Sequence, residues 1–344
     1  MKIKISKKIV ISEKSRPKII AEISCNHNGS KKLFLKHIEE AAKNGADLVK
    51  IQSFEPQDIT IKSRDKRFQI KSGLWKNKYL WDLYKKAHTP FSWHNDAFKL
   101  AKKLNITLFS SPFSKRAVDL LEKFRVKLYK IASFEITDHE LIEYVAKKKK
   151  PVIISTGMAS IKEIYEAIKI IKKYHNKVII LYCVSGYPTK NKEANVSTIN
   201  KLKKIFPNHL IGLSDHTDNI YSSLASTALG ACLIEKHFIL SSRMKSLDKE
   251  FSISPRALKN LRIKSQKVFE TLGKQIIGPK KNELNSLKLR RSIFTTKEIN
   301  AGDKFSKHNI GSFRPFIGLS SKKIKSLYGK KSKKNYKKFQ PIFK

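Results

Sequence analysis

Short runs of aliphatic and β-branched residues recur along the chain, and most are followed by a stretch with apolar residues at helical spacing. The runs are IIAEIS (19–24), LVKIQS (48–53), ITLFSS (106–111), VKLYKIAS (126–133), PVIIST (151–156), KVIILYCV (177–184), HLIGLS (209–214) and ACLIEKHF (231–238). The helical stretches include LFLKHIEEAAKNG, KRAVDLLEKF, DHELIEYVAKK, SIKEIYEAIKIIKKYH, the segment 220–230 and PRALKNLRIKSQKVFETLG. Strict alternation predicts a parallel sheet, and eight units of this length predict a (β/α)8 TIM barrel in an α/β fold. A doubly wound sheet is the alternative, weakened because no G-x-G-x-x-G follows the first run. The stretch 54–95, with GLW, YLWDLY and TPFSWHN, is longer than one loop needs and reads as an inserted cap with short helices.

After Gly273 the period breaks. The expected organisation is a barrel over 1–272, a linker over 273–289 and a small domain over 290–344, where short β-like runs (SIFTT, IGSFRPFIG) alternate with turn signals such as NAGD. A domain of that size is small to stand alone, so it should dock on something.

Barrels of this kind place their chemistry at the C-terminal ends of the strands. The polar residues gather there: Glu22, Asn26 and His27; Lys50 and Gln52; Ser110 and Ser111; Lys130, Ser133 and Glu135; Ser155 and Thr156; Ser185 and Tyr187; Ser214, Asp215 and His216; Glu235, Lys236 and His237. Burying so many ionisable groups is costly unless they meet partners or a charged ligand. Lys50 and Lys130 interrupt apolar strands. They are either structural partners of Glu22 or Glu235, or cationic clamps on a phosphate or carboxylate. No Walker loop accompanies the serines, so a nucleotide is not expected. His216 and His237 end consecutive strands beside Asp215 and are expected to share one metal ion, with positions left open for substrate and water. His37, His88, His139, His175, His209 and His308 show no partner pattern and are expected at the surface. Together these features predict a metal-assisted barrel enzyme acting on a small phosphorylated anion, without naming the reaction.

Charge adds a second question. Lys plus Arg number 73 against 28 acidic residues, a net +45, yet only 11 of the cations are Arg. A surface dedicated to reading phosphates leans on Arg for its bidentate fork. A drift of composition toward Lys, Ile and Asn therefore explains the excess better than nucleic-acid binding. The last 24 residues, with ten Lys and no acid, read as a solvated face rather than a polyanion patch. A basic nucleic-acid-binding barrel is the distant alternative. The three cysteines, Cys25, Cys183 and Cys232, show no paired spacing, which points to a reducing compartment. No run approaches the ~20 apolar residues of a membrane span, so a cytoplasmic location without membrane contact is expected.

The motifs AEISCNHNGS, GADLVKIQSF, FSSPFS, YKIASFE, STGM, CVSGYPT, GLSDHT and IEKHF, with Asp248 beyond, resemble the sialic acid (nonulosonic acid) synthase family. RRSIFTTKEINAGDKFSKHNIGSFRP resembles that family's antifreeze-like (SAF) domain, a β-clip fold. The resemblance spans residues 18 to 340. It implies a transferase that condenses phosphoenolpyruvate with an open-chain N-acetylated sugar aldehyde and water, by C–C bond formation with C–O cleavage. It implies that Lys50, Ser111, Lys130, Ser133, Ser155, Ser185 and Ser214 hold phosphoenolpyruvate, and that His216 and His237 bind Mn2+ or Mg2+. Glu22 falls beside the reacting carbons. Gln52, Tyr187 and Asp248 fall on the sugar, and Arg314 on the residue that reaches the second subunit's site in a domain-swapped homodimer. GLW, TPFSWH, Ser185 and D-x-x-F-S at 248–252 are most similar to the pseudaminate-forming branch, which uses 2,4-diacetamido-2,4,6-trideoxy-L-altrose. The branches forming N-acetylneuraminate or legionaminate are the alternatives. The 239–247 segment lacks the family's usual Gly-Pro, and Ser241 stands where several relatives carry Asp, so the sugar-side loop is unusual.

Overall fold

Two short strands precede the predicted runs: β1 (Lys2–Lys4) pairs antiparallel with β2 (Val10–Ser12). The eight runs then form β3 (Lys18–Glu22), β4 (Leu48–Ser53), β5 (Thr107–Pro112), β6 (Tyr129–Ile131), β7 (Val152–Ser155), β8 (Val178–Cys183), β9 (Leu210–Asp215) and β10 (Leu233–His237). In this computed structural model, which describes residues 1–344, they close into a barrel in chain order, with β10 parallel to β3. The expected (β/α)8 TIM barrel is therefore the fold. The chain divides into two compact units, Met1–Gly273 and Lys274–Lys344.

Strand side chains alternate between faces, and that alternation sorts the barrel. Ile20, Leu48, Phe109, Leu128, Ile153, Ile179, Leu181, Leu210 and Leu233 form one buried cluster inside it. Ile3, Ile5 and Ile11 of the N-terminal hairpin join the same cluster, so the hairpin stoppers the end at which the strands begin. Two residues further along β3, β4, β5, β6, β7 and β10, the same inward parity delivers Glu22, Lys50, Ser111, Lys130, Ser155 and Glu235. The opposite parity, with Ile19, Ala21, Val49 and Ile51 among others, packs against the helices. Gly212 is an inward position with no room for a side chain: a Cβ there would lie 2.4 Å from the Leu233 carbonyl oxygen.

The surrounding helices are α1 (Lys31–Lys43), α2 (Leu80–Ala87), α3 (His94–Lys103), α4 (Lys115–Lys123), α5 (His139–Ala146), α6 (Ile161–Lys172), α7 (Thr198–Ile205), α8 (Tyr221–Ala228) and α9 (Pro255–Leu272). Their starts follow local chemistry. Ser30 and Ser114 cap α1 and α4, and Ser160 with Glu163 forms a capping box on α6. Ser254 caps α9, whose first residue is Pro255. The expected cap over 54–95 is shorter than anticipated: α3 begins at His94 and is the helix between β4 and β5. The insert keeps α2 and 3-10 turns at 56–58, 66–68 and 91–93. Two of the histidines expected at the surface are buried. His37, on α1, donates from Nδ1 to the Leu33 carbonyl (2.7 Å), and His209 sits in the loop before β9.

In the second unit β11 (Ser292–Thr295) pairs antiparallel with β12 (Ile310–Phe313), followed by the single-turn helix α10 (Ile324–Leu327). Its core is Ile293, Ile299, Phe305, Ile310, Tyr336 and Ile342. Isolated bridges at 294–341, 299–336 and 304–331 tie the lysine-rich tail to the body of the unit. No helix of the chain is long and apolar enough to cross a membrane.

Candidate active site

Four buried charges form the floor of the barrel mouth. Lys50 Nζ lies 3.0 Å from Glu22 Oε2 and 3.2 Å from Glu235 Oε1, and Lys130 Nζ lies 3.1 Å from Glu235 Oε1. All four side chains are essentially inaccessible to water. They come together because each occupies an inward position on β3, β4, β6 or β10, and parallel registry sets Glu22 beside Lys50 and His237. Burial alone would raise the Glu235 carboxyl, but Lys130 and Lys50 outweigh it and hold it at about 2. Burial lowers Lys130, with Lys50 adding to the effect against Glu235, whereas Glu22 and Glu235 overcome burial at Lys50 and raise it. Of the two roles considered for these lysines, the structure shows the pairing: Lys50 meets Glu22 and Glu235, and Lys130 meets Glu235. Gln52 Nε2 donates to Glu22 Oε1 and Ser24 Oγ, both at 3.1 Å, and Lys50 donates to Ser111 Oγ at 3.3 Å.

Beside the lysines lies a cluster of hydroxyls. Ser214 Oγ donates to Glu235 at 3.3 Å, and the Gly157 amide donates to Ser133 Oγ at 3.1 Å. Ser155 Oγ and Ser185 Oγ are buried and have no hydrogen-bond partner. Gly157 makes the cluster possible, since a Cβ there would lie 2.1 Å from Ser185 Oγ and 2.8 Å from Ser133 Oγ. Buried hydroxyls without partners are costly and mark a place where a polar ligand belongs.

His216 and His237 also stand together, with ring centroids 5.4 Å apart in a T-shaped arrangement. The His216 Nδ1 donates to the Val184 carbonyl at 2.9 Å, and His237 Nδ1 lies 3.3 Å from Asp248 Oδ2. His216 thus has Nδ1 engaged, while His237 Nδ1 faces the Asp248 carboxylate without a hydrogen bond of good geometry; carbonyl and carboxylate neighbours of this kind orient metal-binding imidazoles. No set of three or more His, Cys, Asp or Glu side chains comes together in the chain; two imidazoles alone would leave positions open for substrate and water. Asp215 does not contribute. It occupies an outward position, accepts from Thr217 N, Thr217 Oγ1 and Ser223 Oγ, and pairs with Lys236 at 3.1 Å. Cys183 lies nearer, with Sγ 3.7 Å from His216 Nδ1.

Gln52, which bonds Glu22, also lines a cavity of about 390 Å³ with Ser24, Glu135, Tyr187, His237, Asp248 and apolar residues of the insert. Burial pushes the Tyr187 phenol well above its usual range, with Cys183 and Asp248 adding to it, so it stays protonated. Glu135 was visible in the sequence only as one more strand-end carboxylate. Its Oε2 is buried without a partner. Burial raises its carboxyl to about 7, against the hydrogen bond from its own backbone. Arg314 lies in the second unit, exposed, just after β12, with Phe313, Phe316 and Ile317 exposed beside it.

Comparison with known proteins places this geometry. The chain is 39% identical to the pseudaminic acid synthase of Helicobacter pylori, over 95% of this chain and 96% of that one. It is 37% identical to the N,N'-diacetyllegionaminic acid synthase of Campylobacter jejuni, over 93% of this chain and 96% of that one. The crystal structure of N-acetylneuraminic acid (sialic acid) synthetase from Leptospira borgpetersenii superposes with a TM-score of 0.75 at 31% identity, covering 83% of this chain and 95% of that one. The NeuB family model matches residues 37–277, which include the lysines, the serine cluster, both histidines and Asp248; the chain belongs to the NeuB family.

Proposed function

We propose that the chain is a pseudaminic acid synthase. It condenses phosphoenolpyruvate with 2,4-diacetamido-2,4,6-trideoxy-L-altrose and water, giving pseudaminic acid and phosphate. The observation that carries the reading is the pair of partnerless buried hydroxyls, Ser155 and Ser185, in a barrel mouth that also holds Lys50 and Lys130. That is a receptor for a small, multiply charged anion, in a chain 39% identical to a pseudaminic acid synthase.

In this reading Lys50, Lys130 and the hydroxyls of Ser111, Ser133, Ser155, Ser185 and Ser214 bind the phosphate and carboxylate of phosphoenolpyruvate. Binding places its C3 toward the cavity. Gln52, Tyr187 and Asp248 hold the sugar with its aldehyde carbon against C3. As the C–C bond forms, the aldehyde oxygen gains charge, and Glu135, protonated below about pH 7, can give it a proton. Water then adds at C2 and loses a proton, for which Glu22 at the reacting end is the available base. Phosphate leaves with cleavage of its C2–O bond, taking the proton of the new C2 hydroxyl as that oxygen becomes the ketone. A divalent cation, Mn2+ or Mg2+, held by His216 and His237 would supply Lewis-acid polarisation of the aldehyde oxygen. The protein's net charge of +45 favours encounter with an anionic substrate. Three buried free thiols suit a reducing cytoplasm.

The second unit is read as the antifreeze-like domain. Its exposed Arg314, with three exposed apolar neighbours, is the element offered to a second copy of the chain. Mixing an Arg314→Ala variant with a His237→Ala variant, each inactive alone, should restore part of the activity in mixed dimers. No recovery on mixing would refute the shared site.

Legionaminate formation is the second reading, favoured by the 37% identical relative. Phosphate release from phosphoenolpyruvate with Mn2+, with product mass read in parallel, separates the readings. Turnover with the altrose sugar is expected. Turnover with N-acetylmannosamine alone, or with the legionaminate precursor alone, would overturn the sugar assignment and keep the mechanism.

A further inference from the structure

The cavity at the barrel mouth has two unlike walls. One is polar and belongs to the strand ends, with Gln52, Glu135, Tyr187 and Asp248. The other is apolar and is built largely by the insert: Ile59, Ile70, Trp75 and Leu83, joined by Leu247 from the loop after β10. The two loops are tied together. Trp75 Nε1–H donates to the Leu247 carbonyl at 3.2 Å, and the indole packs on Tyr187 with ring centroids 5.7 Å apart. Leu83 and Leu247 are buried against Cys25, and Ile70 and Trp75 pack on that cluster from the cavity side. Wall and chemistry therefore share one hollow of about 390 Å³, the scale of a single small ligand.

We propose that this wall is the specificity element for the half of the sugar remote from the aldehyde, and that it reads methyl groups. The inference rests on the synthase reading. A 2,4-diacetamido-2,4,6-trideoxy sugar carries a C6 methyl and a second acetamido methyl where N-acetylmannosamine carries hydroxyls. Ile59, Ile70, Leu83 and Leu247 offer no side-chain hydrogen-bond partner to a hydroxyl, and Trp75 Nε1 is already used by the Leu247 carbonyl, which leaves the Tyr84 hydroxyl as the insert's one free polar group in the cavity. A hydroxyl pressed on the aliphatic part of the wall loses water and gains nothing. Apolar pockets reject an added hydroxyl only moderately, by about 100-fold, so the wall grades trideoxy over hydroxylated sugars. It does not sort the stereochemistry of one trideoxy sugar from another.

The test compares kcat/KM for the altrose sugar and for N-acetylmannosamine at saturating phosphoenolpyruvate, in the full-length metal-loaded protein. Wild type should prefer the trideoxy sugar by about 100-fold or more. Leu83→Asn and Ile70→Thr should each reduce that preference at least tenfold, mainly through KM for the sugar. Leu83→Met should keep it, and KM for phosphoenolpyruvate should stay put in all three. Ile70 is half-buried at the rim, so Ile70→Thr carries the test if Leu83→Asn does not fold. An unchanged preference in a folded, active variant would make the wall mere packing. Equal use of both sugars by wild type would overturn the wall's role and leave the synthase standing. No phosphate release with any sugar would overturn the synthase reading, and this inference with it.

Discussion

Asp248 Oδ2 lies 3.3 Å from His237 Nδ1, and both side chains line the same cavity. A carboxylate beside Nδ1 favours the proton on that nitrogen and leaves Nε2 for a metal ion. The family resemblance implies that Asp248 meets the sugar; its place beside His237 also suits it to orient that ring. Asp248→Ala should weaken Mn2+ binding by about 10–100-fold, measured by calorimetry on protein stripped of metal. Wild-type Mn2+ affinity in the variant would confine Asp248 to the sugar.

Ser155 and Ser185 separate binding from stability. Neither Oγ has a partner in the protein, so Ser155→Ala and Ser185→Ala should leave thermal stability within about 0.5 kcal/mol of wild type. Each should still weaken phosphoenolpyruvate by roughly 5- to 10-fold, the worth of one hydrogen bond. Gly157→Ala should cost more, because its Cβ would meet Ser185 Oγ at 2.1 Å. Equilibrium binding of phosphoenolpyruvate checks all three, and wild-type affinity in both serine variants would remove the serines from the anion site.

These side chains were legible because a strand has period two. Once Ile20, Leu48, Leu128 and Leu233 point inward, Glu22, Lys50, Lys130 and Glu235 must follow two residues on. The same parity, applied strictly, would have turned Asp215 away from the histidines. His37 also had a signal: with Phe34, Ile38 and Ala41 it falls on one helical stripe, and all four are buried. The hairpin at the N-terminus was masked by lysines between its isoleucines, and α3 by small core residues, Ala97 and Ala101. The raised Glu135 carboxyl could not be read at all, since its burial is made by residues distant in the chain. Nor could the apolar wall, which exists only where the insert meets the loop after β10.

Lys130 and Glu235 form a pair whose loss can be divided. Lys130→Met leaves Glu235 with Lys50 alone, and breaking a buried pair from one side typically costs about 3–5 kcal/mol. Adding Glu235→Leu removes the stranded charge and should restore much of that stability. If Lys130 binds the substrate anion, activity should not return, and kcat/KM should stay down roughly 100- to 1000-fold. Urea unfolding and phosphate release on the two single variants and the double variant complete the cycle. Recovery of turnover in the double variant would make Lys130 purely structural.

Glu135 supplies the pH dependence. Its carboxyl sits at about 7 in the folded protein because burial disfavours the charged form, against 4.5 as an ordinary glutamate. A group raised on folding stabilises the protein while protonated in both states, and that contribution is lost as pH rises from about 4.5 through 7. Glu135→Gln is a neutral mimic of the protonated side chain. The variant should match wild-type thermal stability near pH 4.5 and exceed it at pH 8, and a difference constant across that range would place the carboxyl in water. Turnover makes the complementary statement. If protonated Glu135 supplies the proton to the aldehyde oxygen, kcat should fall as pH rises through about 7, and the Gln variant should lose both most of its rate and that limb of the profile. A Gln variant that keeps the wild-type rate and the same limb would move the proton donor elsewhere in the cavity.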